Sequence, residues 1–247
     1  MTADIRIEDA LGVCGVREDT QLLAETAYAA LRGSCTPCRA LDLGAGSGYV
    51  GIYLALRGWQ VDAVDVSPRA LALARRNAEL NGVAPRIYQS NLFSDVRGQF
   101  DVIACNPPMR ADETEGSRFV TATLRKAGLL ANALMRVTQP VLERKRIDFL
   151  AEIARGARSH LAPDGRLLLV ISPLEQAELP ACVPGLALEE SRTVPGIPGL
   201  AVAVFSYAVD RFDGARPTGA DVRYPHPKEA PAVPQRPARK AQKDGTH

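Results

Sequence analysis

The run Leu41-Asp42-Leu43-Gly44-Ala45-Gly46-Ser47-Gly48 sets three glycines behind a short apolar stretch, and no other feature of the 247 residues constrains the fold as tightly. Glycine accepts positive φ and has no Cβ, so a strand can turn into a helix there with its backbone close to a ligand. The flanking pattern agrees. Apolar spacing predicts strands over 39–43, 60–65, 86–89, 100–105 and 166–172, and helices over 20–31, 48–56, 68–80 and 148–160. Thr20 and Ser67 are the expected N-caps, Pro68 suits a first turn, and Gly33 and Asn81-Gly82 are stop signals. The turn Pro195-Gly196-Ile197-Pro198-Gly199 separates two further strands, 187–194 and 200–209. Alternation of this kind implies an α/β fold: a doubly wound seven-stranded sheet, mostly parallel, with an antiparallel hairpin at one edge.

The length and the 46% hydrophobic content suit one domain of about 200 residues plus a tail. We expect a catalytic domain over 1–210 and a tail over 211–247, where proline and basic residues replace apolar runs. Residues 110–146 are too many for a routine connection and are expected to form an inserted lid or substrate-binding segment, with helical spacing at Leu129, Leu130, Leu134 and Val137 and acids at Asp112, Glu113 and Glu115. A formal charge of +2 does not argue for a nucleic-acid or membrane partner. The start, MTADIRIEDA, lacks a signal-peptide layout and no run approaches a membrane span, so a cytoplasmic protein is expected. Five cysteines and three histidines offer no metal-ligand pattern, and Cys35 and Cys38 read as reduced loop cysteines.

The glycine turn alone is ambiguous. Gly46-x-Gly48-x-x-Gly51 also satisfies the dinucleotide fingerprint, with Asp65 near the distance at which an acid grips a ribose, so a nicotinamide-binding oxidoreductase stays open. Asp65 ends the second strand, where a carboxylate can accept from both ribose hydroxyls. Asn91 ends the third, where an amide can meet an adenine edge, with Leu92 and Phe93 beside it to cover the ring.

Taken together, Asp42-Leu43-Gly44-x-Gly46-x-Gly48, Asp65 and Ser90-Asn91-Leu92-Phe93 resemble the class I S-adenosylmethionine methyltransferases, whose sheet is Rossmann-like. The resemblance covers roughly Glu18 to Val209. It implies S-adenosylmethionine as cofactor, with Asp42, Gly44, Ala45, Gly46 and Gly48 around its methionine part, Asp65 and Val66 at the ribose, and Asn91 and Leu92 at the adenine.

Asp101-Val102-Ile103-Ala104-Cys105 reads as a buried strand that runs into Asn106-Pro107-Pro108-Met109 at the end where open α/β sheets bind ligands. This motif resembles that of methyltransferases acting on amide or exocyclic amine nitrogens: release-factor glutamine enzymes, adenine-N6 DNA enzymes and guanine-N2 ribosomal RNA enzymes. Transfer to nitrogen requires a lone pair aligned with the sulfonium methyl, so positioning carries much of the work. The Asn106 oxygen and the Pro107 carbonyl can each accept a hydrogen from an NH₂ group, while Asn106 also borders the cofactor. Pro108, Met109 and Thr20 are expected against the substrate. The fourth position is usually aromatic in these families, and Met109 departs from that. Val16-Arg17-Glu18-Asp19-Thr20-Gln21-Leu22-Leu23 resembles the segment that precedes the core in archaeal and eukaryotic release-factor glutamine methyltransferases. The expected acceptor is a protein glutamine. A small molecule of a biosynthetic pathway and an RNA guanine are the alternatives, and the oligomeric state is left open.

Overall fold

A computed structural model describes residues 5–31, 37–108 and 146–208. All of them belong to a compact unit, Met1–Val209; a second unit, Asp210–His247, lies outside the described residues, as does most of the 110–146 insertion. The elements in chain order are α1 (Glu18–Ala30), β1 (Arg39–Leu43), α2 (Tyr49–Ala55), β2 (Gln60–Asp65), α3 (Pro68–Leu80), β3 (Arg86–Gln89), β4 (Phe100–Cys105), α4 (described over 146–160), β5 (Leu161–Ile171), α5 (Pro173–Cys182), β6 (Leu186–Thr193) and β7 (Ala201–Tyr207).

The sheet runs β3-β2-β1-β4-β5-β7-β6. Pairs among the first five strands are parallel, and β7 is antiparallel to both β5 and β6. The expected mostly parallel sheet with an antiparallel edge pair is what forms. The chain order reverses between β1 and β4, and the crevice above that switch is where such sheets take ligands.

Alternate strand residues face opposite sides, as a period of two requires. Leu41, Leu43, Ile103, Cys105, Leu167, Leu169 and Phe205 pack with Leu150, Ile153 and Ala157 of α4 on one face. Ala40, Val102, Ala104, Leu168, Val170 and Val202 pack with Leu23 and Ala27 of α1 and Val50 and Leu54 of α2 on the other. Each fully buried leucine of this kind contributes about 1.5–3 kcal/mol.

Local signals decide several boundaries. The Ser67 hydroxyl accepts from Ala70 N at 3.4 Å, Pro68 opens α3, and Asn81 with Gly82 at φ +65° closes it. Thr20, expected as the cap of α1, lies one turn further in, because α1 starts at Glu18 behind an extended Arg17 that makes no side-chain cap bond. β5 starts five residues earlier than its apolar run: Phe100 pairs with Leu161 and Val102 with Arg166, so the Pro163-Asp164-Gly165 turn is absorbed as a bulge. Cys38 is disulfide-bonded, with its partner outside the described residues, which corrects the expectation of a reduced thiol there.

The segment before α1 is a strap with no regular structure. Buried Asn77 accepts from Glu8 N at 2.8 Å and donates to Glu8 O at 3.2 Å and Ser47 O at 2.9 Å. Four residues on, Asn81 accepts from Arg6 N at 3.0 Å and donates to Arg6 O at 2.7 Å. Two asparagines, Asn77 in the last turn of α3 and Asn81 at its C-cap, thus pair the strap's backbone as a neighbouring strand would. The strap is thereby led across the glycine turn.

Candidate active site

Over the carboxyl ends of β1 and β4 lies a cavity of about 590 Å³. Its wall joins Asp42, Gly44, Ala45, Gly46 and Ser47 of the glycine turn to Asn106, Pro107 and Pro108 behind β4, and to Thr20 at the start of α1. Of the expected site residues, Gly48, Asp65, Val66, Asn91 and Leu92 do not line it, and Met109 falls outside the described residues.

Positive φ at Gly44 (+75°), Gly46 (+54°) and Gly48 (+82°) shapes the turn. Its N–H groups are largely used inside the protein. Gly44 N and Ala45 N both donate to Val64 O, at 2.8 and 2.9 Å, Gly48 N donates to Ala45 O, and Gly46 N donates to Asp65 Oδ2 at 3.0 Å. A pyrophosphate is held by free N–H groups at a helix start, and this turn keeps few of them.

Asp65 sits behind the turn rather than on the cavity wall. Its second oxygen accepts from Ser67 N at 2.8 Å, which leaves each carboxylate oxygen one further lone pair. Val66 is exposed. Asn91 is exposed as well, its N–H donating to Ser94 Oγ at 3.3 Å, and Leu92 takes a left-handed φ of +48°. Phe93, expected with Leu92 to cover a ring, turns into the core instead. It stacks on His160 with centroids 5.0 Å apart and lies so close to α4 that a Cβ on Gly156 would fall 2.4 Å from its ring. Only glycine at 156 admits it.

Asp42 is buried and accepts from Gly51 N at 2.8 Å. Burial raises its carboxyl from an ordinary 3.8 to about 7; the Gly51 hydrogen bond opposes the rise and the Asp65 charge adds to it. The role of Gly51, third glycine of the dinucleotide-like pattern, is steric: a Cβ there would meet Asp42 Oδ2 at 3.2 Å and Val61 at 3.3 Å. The folded chain therefore holds a proton that the unfolded chain releases, so this carboxyl adds stability at low pH and loses it as pH rises from about 4 to about 7. We expect the stability difference between wild type and Asp42→Asn to shift by about 2 kcal/mol between pH 5 and pH 7, wild type losing more on the way up. Urea unfolding at the two pH values measures it, and parallel curves for the two proteins would contradict the buried-carboxyl account.

The Asn106 amide donates through Nδ2 to Thr20 Oγ1 at 3.2 Å. Pro108 is tied on the other side: its carbonyl accepts from the Arg146 guanidinium, which pairs with Glu175. Glu175 closes a capping box at the start of α5, accepting from Ser172 N at 2.7 Å. Both flanks of the Asn-Pro-Pro turn are thus braced. Among the described residues no hydrogen bond engages the Pro107 carbonyl or the Asn106 oxygen, and both residues line the cavity.

Three further contributors to the wall carry no signal in the local pattern: Cys14 and Gly15 from the strap, and Ile197 from the β6–β7 turn. Val16 and Arg17, in the segment before the core, also reach it. The charged side chains on the wall are Asp19 and Arg17, which pair at 3.1 Å, while the buried Asp42 carboxyl keeps its proton up to about pH 7. With Asp65 directly behind the turn, the cavity favours a ligand bearing positive charge over a diphosphate. Among the described residues no three His, Cys, Asp or Glu side chains group to hold a metal ion, and no helix is long and apolar enough to cross a membrane.

Comparison with known proteins fits this geometry. The family model described as "Methyltransferase small domain" matches residues 15–135. The chain is 41% identical over 109 residues to ribosomal RNA small subunit methyltransferase C of Chromohalobacter salexigens, covering 43% of this chain and 32% of that protein. It is 36% identical over 155 residues to the release factor glutamine methyltransferase of Bordetella pertussis, covering 61% of this chain and 53% of that one. The chain thus spans about a third to a half of the length of these relatives. Among solved structures, a ribosomal protein L11 methylase from Lactobacillus delbrueckii subsp. bulgaricus superposes with a TM-score of 0.58 at 20% identity, over 82% of this chain and 84% of that one, and supports the fold.

Proposed function

We propose that this chain, whose residues 15–135 match the methyltransferase small domain family, is an S-adenosylmethionine-dependent methyltransferase acting on nitrogen, with a protein glutamine side chain as acceptor. One observation carries the reading: the Asn106 oxygen and the Pro107 carbonyl, two acceptors without a partner among the described residues, belong to residues that line the same cavity as the glycine turn. A primary amide or aromatic amine has two N–H hydrogens to offer such a pair. Accepting both would orient the nitrogen and stabilise the positive charge it gains on attack.

The cofactor supplies an activated methyl group on a cationic sulfonium. On the protein's side, Gly44, Ala45 and Gly46 give a wall without bulky side chains, and Asp42 sets beside it a raised carboxyl whose ionised form a bound cation would favour. Asp65 keeps lone pairs for a ribose, with Val66 beside it; Asn91 and Leu92 stand at the end of β3, where the resemblance puts the adenine. The few free N–H groups of the turn and the acidic surroundings speak against the dinucleotide alternative. Met109 and the 110–146 segment, which follow the Asn-Pro-Pro turn directly, would border the acceptor together with Pro108, within a catalytic domain over 1–210 followed by a tail over 211–247. A cytoplasmic site of action completes the reading.

For the acceptor, the match to the glutamine methyltransferase covers more of the chain than the match to the ribosomal RNA enzyme, which favours an amide. Transfer of label from methyl-tritiated S-adenosylmethionine into a cell extract, separated into protein, RNA and small-molecule fractions, tests it. Label on glutamine in the protein fraction is expected; label confined to RNA or small molecules would overturn the acceptor, and no transfer at all would overturn the activity.

A further inference from the structure

We infer that Asp19 and Thr20 are positioning residues that set which end of the Asn106 amide is presented to the cavity. An asparagine amide has a donor end and an acceptor end of nearly the same shape, so a pocket that needs the oxygen must also forbid the flipped form. The hydrogen-bond polarity around Asn106 does this.

Asp19 is 1% exposed, and its Oδ2 is held at 3.1 Å by the Arg17 guanidinium. An ionised carboxylate only accepts. Its Oδ1 accepts from Thr20 N at 2.7 Å and lies 3.2 Å from Thr20 Oγ1, so the threonine hydroxyl proton is directed to Asp19. Thr20 Oγ1 then faces Asn106 with lone pairs alone. It accepts from Nδ2 at 3.2 Å, and the amide oxygen is the end left for the cavity. Flipping Asn106 would set its oxygen against the Thr20 oxygen, or take the hydroxyl proton from the buried carboxylate. Both are unfavourable. A polarised relay therefore runs from Arg17 through Asp19 and Thr20 to Asn106. It also explains why Thr20 stands inside α1 instead of capping it.

The inference rests on the methyltransferase reading only for the choice of ligand. The probe is a pair of cofactor analogues compared by calorimetry: S-adenosylhomocysteine, which has no group at the methyl position, and sinefungin, which carries an amine there on carbon. An outward-facing Asn106 oxygen accepts from that amine, and wild type is expected to bind sinefungin about 10-fold more tightly than S-adenosylhomocysteine, as a charge-assisted hydrogen bond allows. Thr20→Val removes the hydroxyl at constant shape, and Asp19→Asn supplies a donor that lets the relay reverse. Each is expected to bring the ratio of the two affinities to about 1, with sinefungin losing more affinity than S-adenosylhomocysteine, and Thr20→Ser is expected to restore the preference. A merely structural role would weaken both ligands together. An unchanged ratio in Thr20→Val, or a Thr20→Ser protein as impaired as Thr20→Val, overturns the relay. Wild type that binds both analogues equally overturns it as well, with the cofactor site intact, whereas wild type that binds neither overturns the cofactor reading and the relay together.

Discussion

Asn106→Ala is expected to lose about 100- to 1000-fold in methyl transfer while the fold and S-adenosylhomocysteine binding persist, the scale seen when one preorganised polar group is removed from a reacting centre. The side chain is held at 3.2 Å by Thr20 and is not part of the packed core, so truncation leaves the sheet intact. On the proposed reading, what goes is an acceptor for a nitrogen whose N–H bonds become more polar as it gains a methyl group. Losing an interaction that strengthens on the way to the transition state lowers kcat more than it changes KM. Loss confined to KM would mean that Asn106 only holds the acceptor. Unaltered turnover would remove it from the chemistry.

Gly48→Val is expected to cost about 3–4 kcal/mol of folding stability, a large share of the 5–15 kcal/mol typical of a domain. Two effects combine. Gly48 has φ +82°, where a β-branched residue is strained, and a Cβ there would sit 2.9 Å from Ala74 Cβ and 3.1 Å from Ala74 Cα on α3. The collision is with backbone and a methyl group that cannot swing away, so α2 and α3 would have to separate. Gly44→Ala provides the contrast: φ is +75°, but nothing lies within 4 Å of the added methyl group, and the expected cost is about 1 kcal/mol. Urea unfolding of the two variants checks the difference, and equal losses would show that the close α2–α3 approach has been overstated.

What could be read from the sequence follows from where each signal resides. The strands around the cavity announce themselves by apolar alternation, α3 by Ser67, Pro68 and Asn81-Gly82, and the site by a glycine turn and an Asn-Pro-Pro turn, because each is a local pattern that the backbone obeys locally. The strap is different. Its hydrogen bonds to Asn77 and Asn81 join residues about seventy positions apart, and nothing periodic in Ile5 to Gly15 foretells them. Ile197 reaches the cavity only because β7 lies beside β5, which no local feature states. α5 did have a sign: Ser172-Pro173 followed by Glu175 is a capping box with proline in the first turn, masked by Pro180 within the helix. Thr20 carries a residue type that suits a cap, yet Asp19 and Asn106 claim its hydroxyl instead. Phe93 reads as a free aromatic beside Asn91 until Gly156 is seen to make room for it in the core.

The central claim, that the cavity over β1 and β4 takes S-adenosylmethionine, is tested most directly by titrating the purified chain with S-adenosylhomocysteine and, separately, with NADH. The account predicts stoichiometric, saturable heat with S-adenosylhomocysteine and none with NADH. NADH binding with no response to S-adenosylhomocysteine would contradict it and return the glycine turn to a dinucleotide.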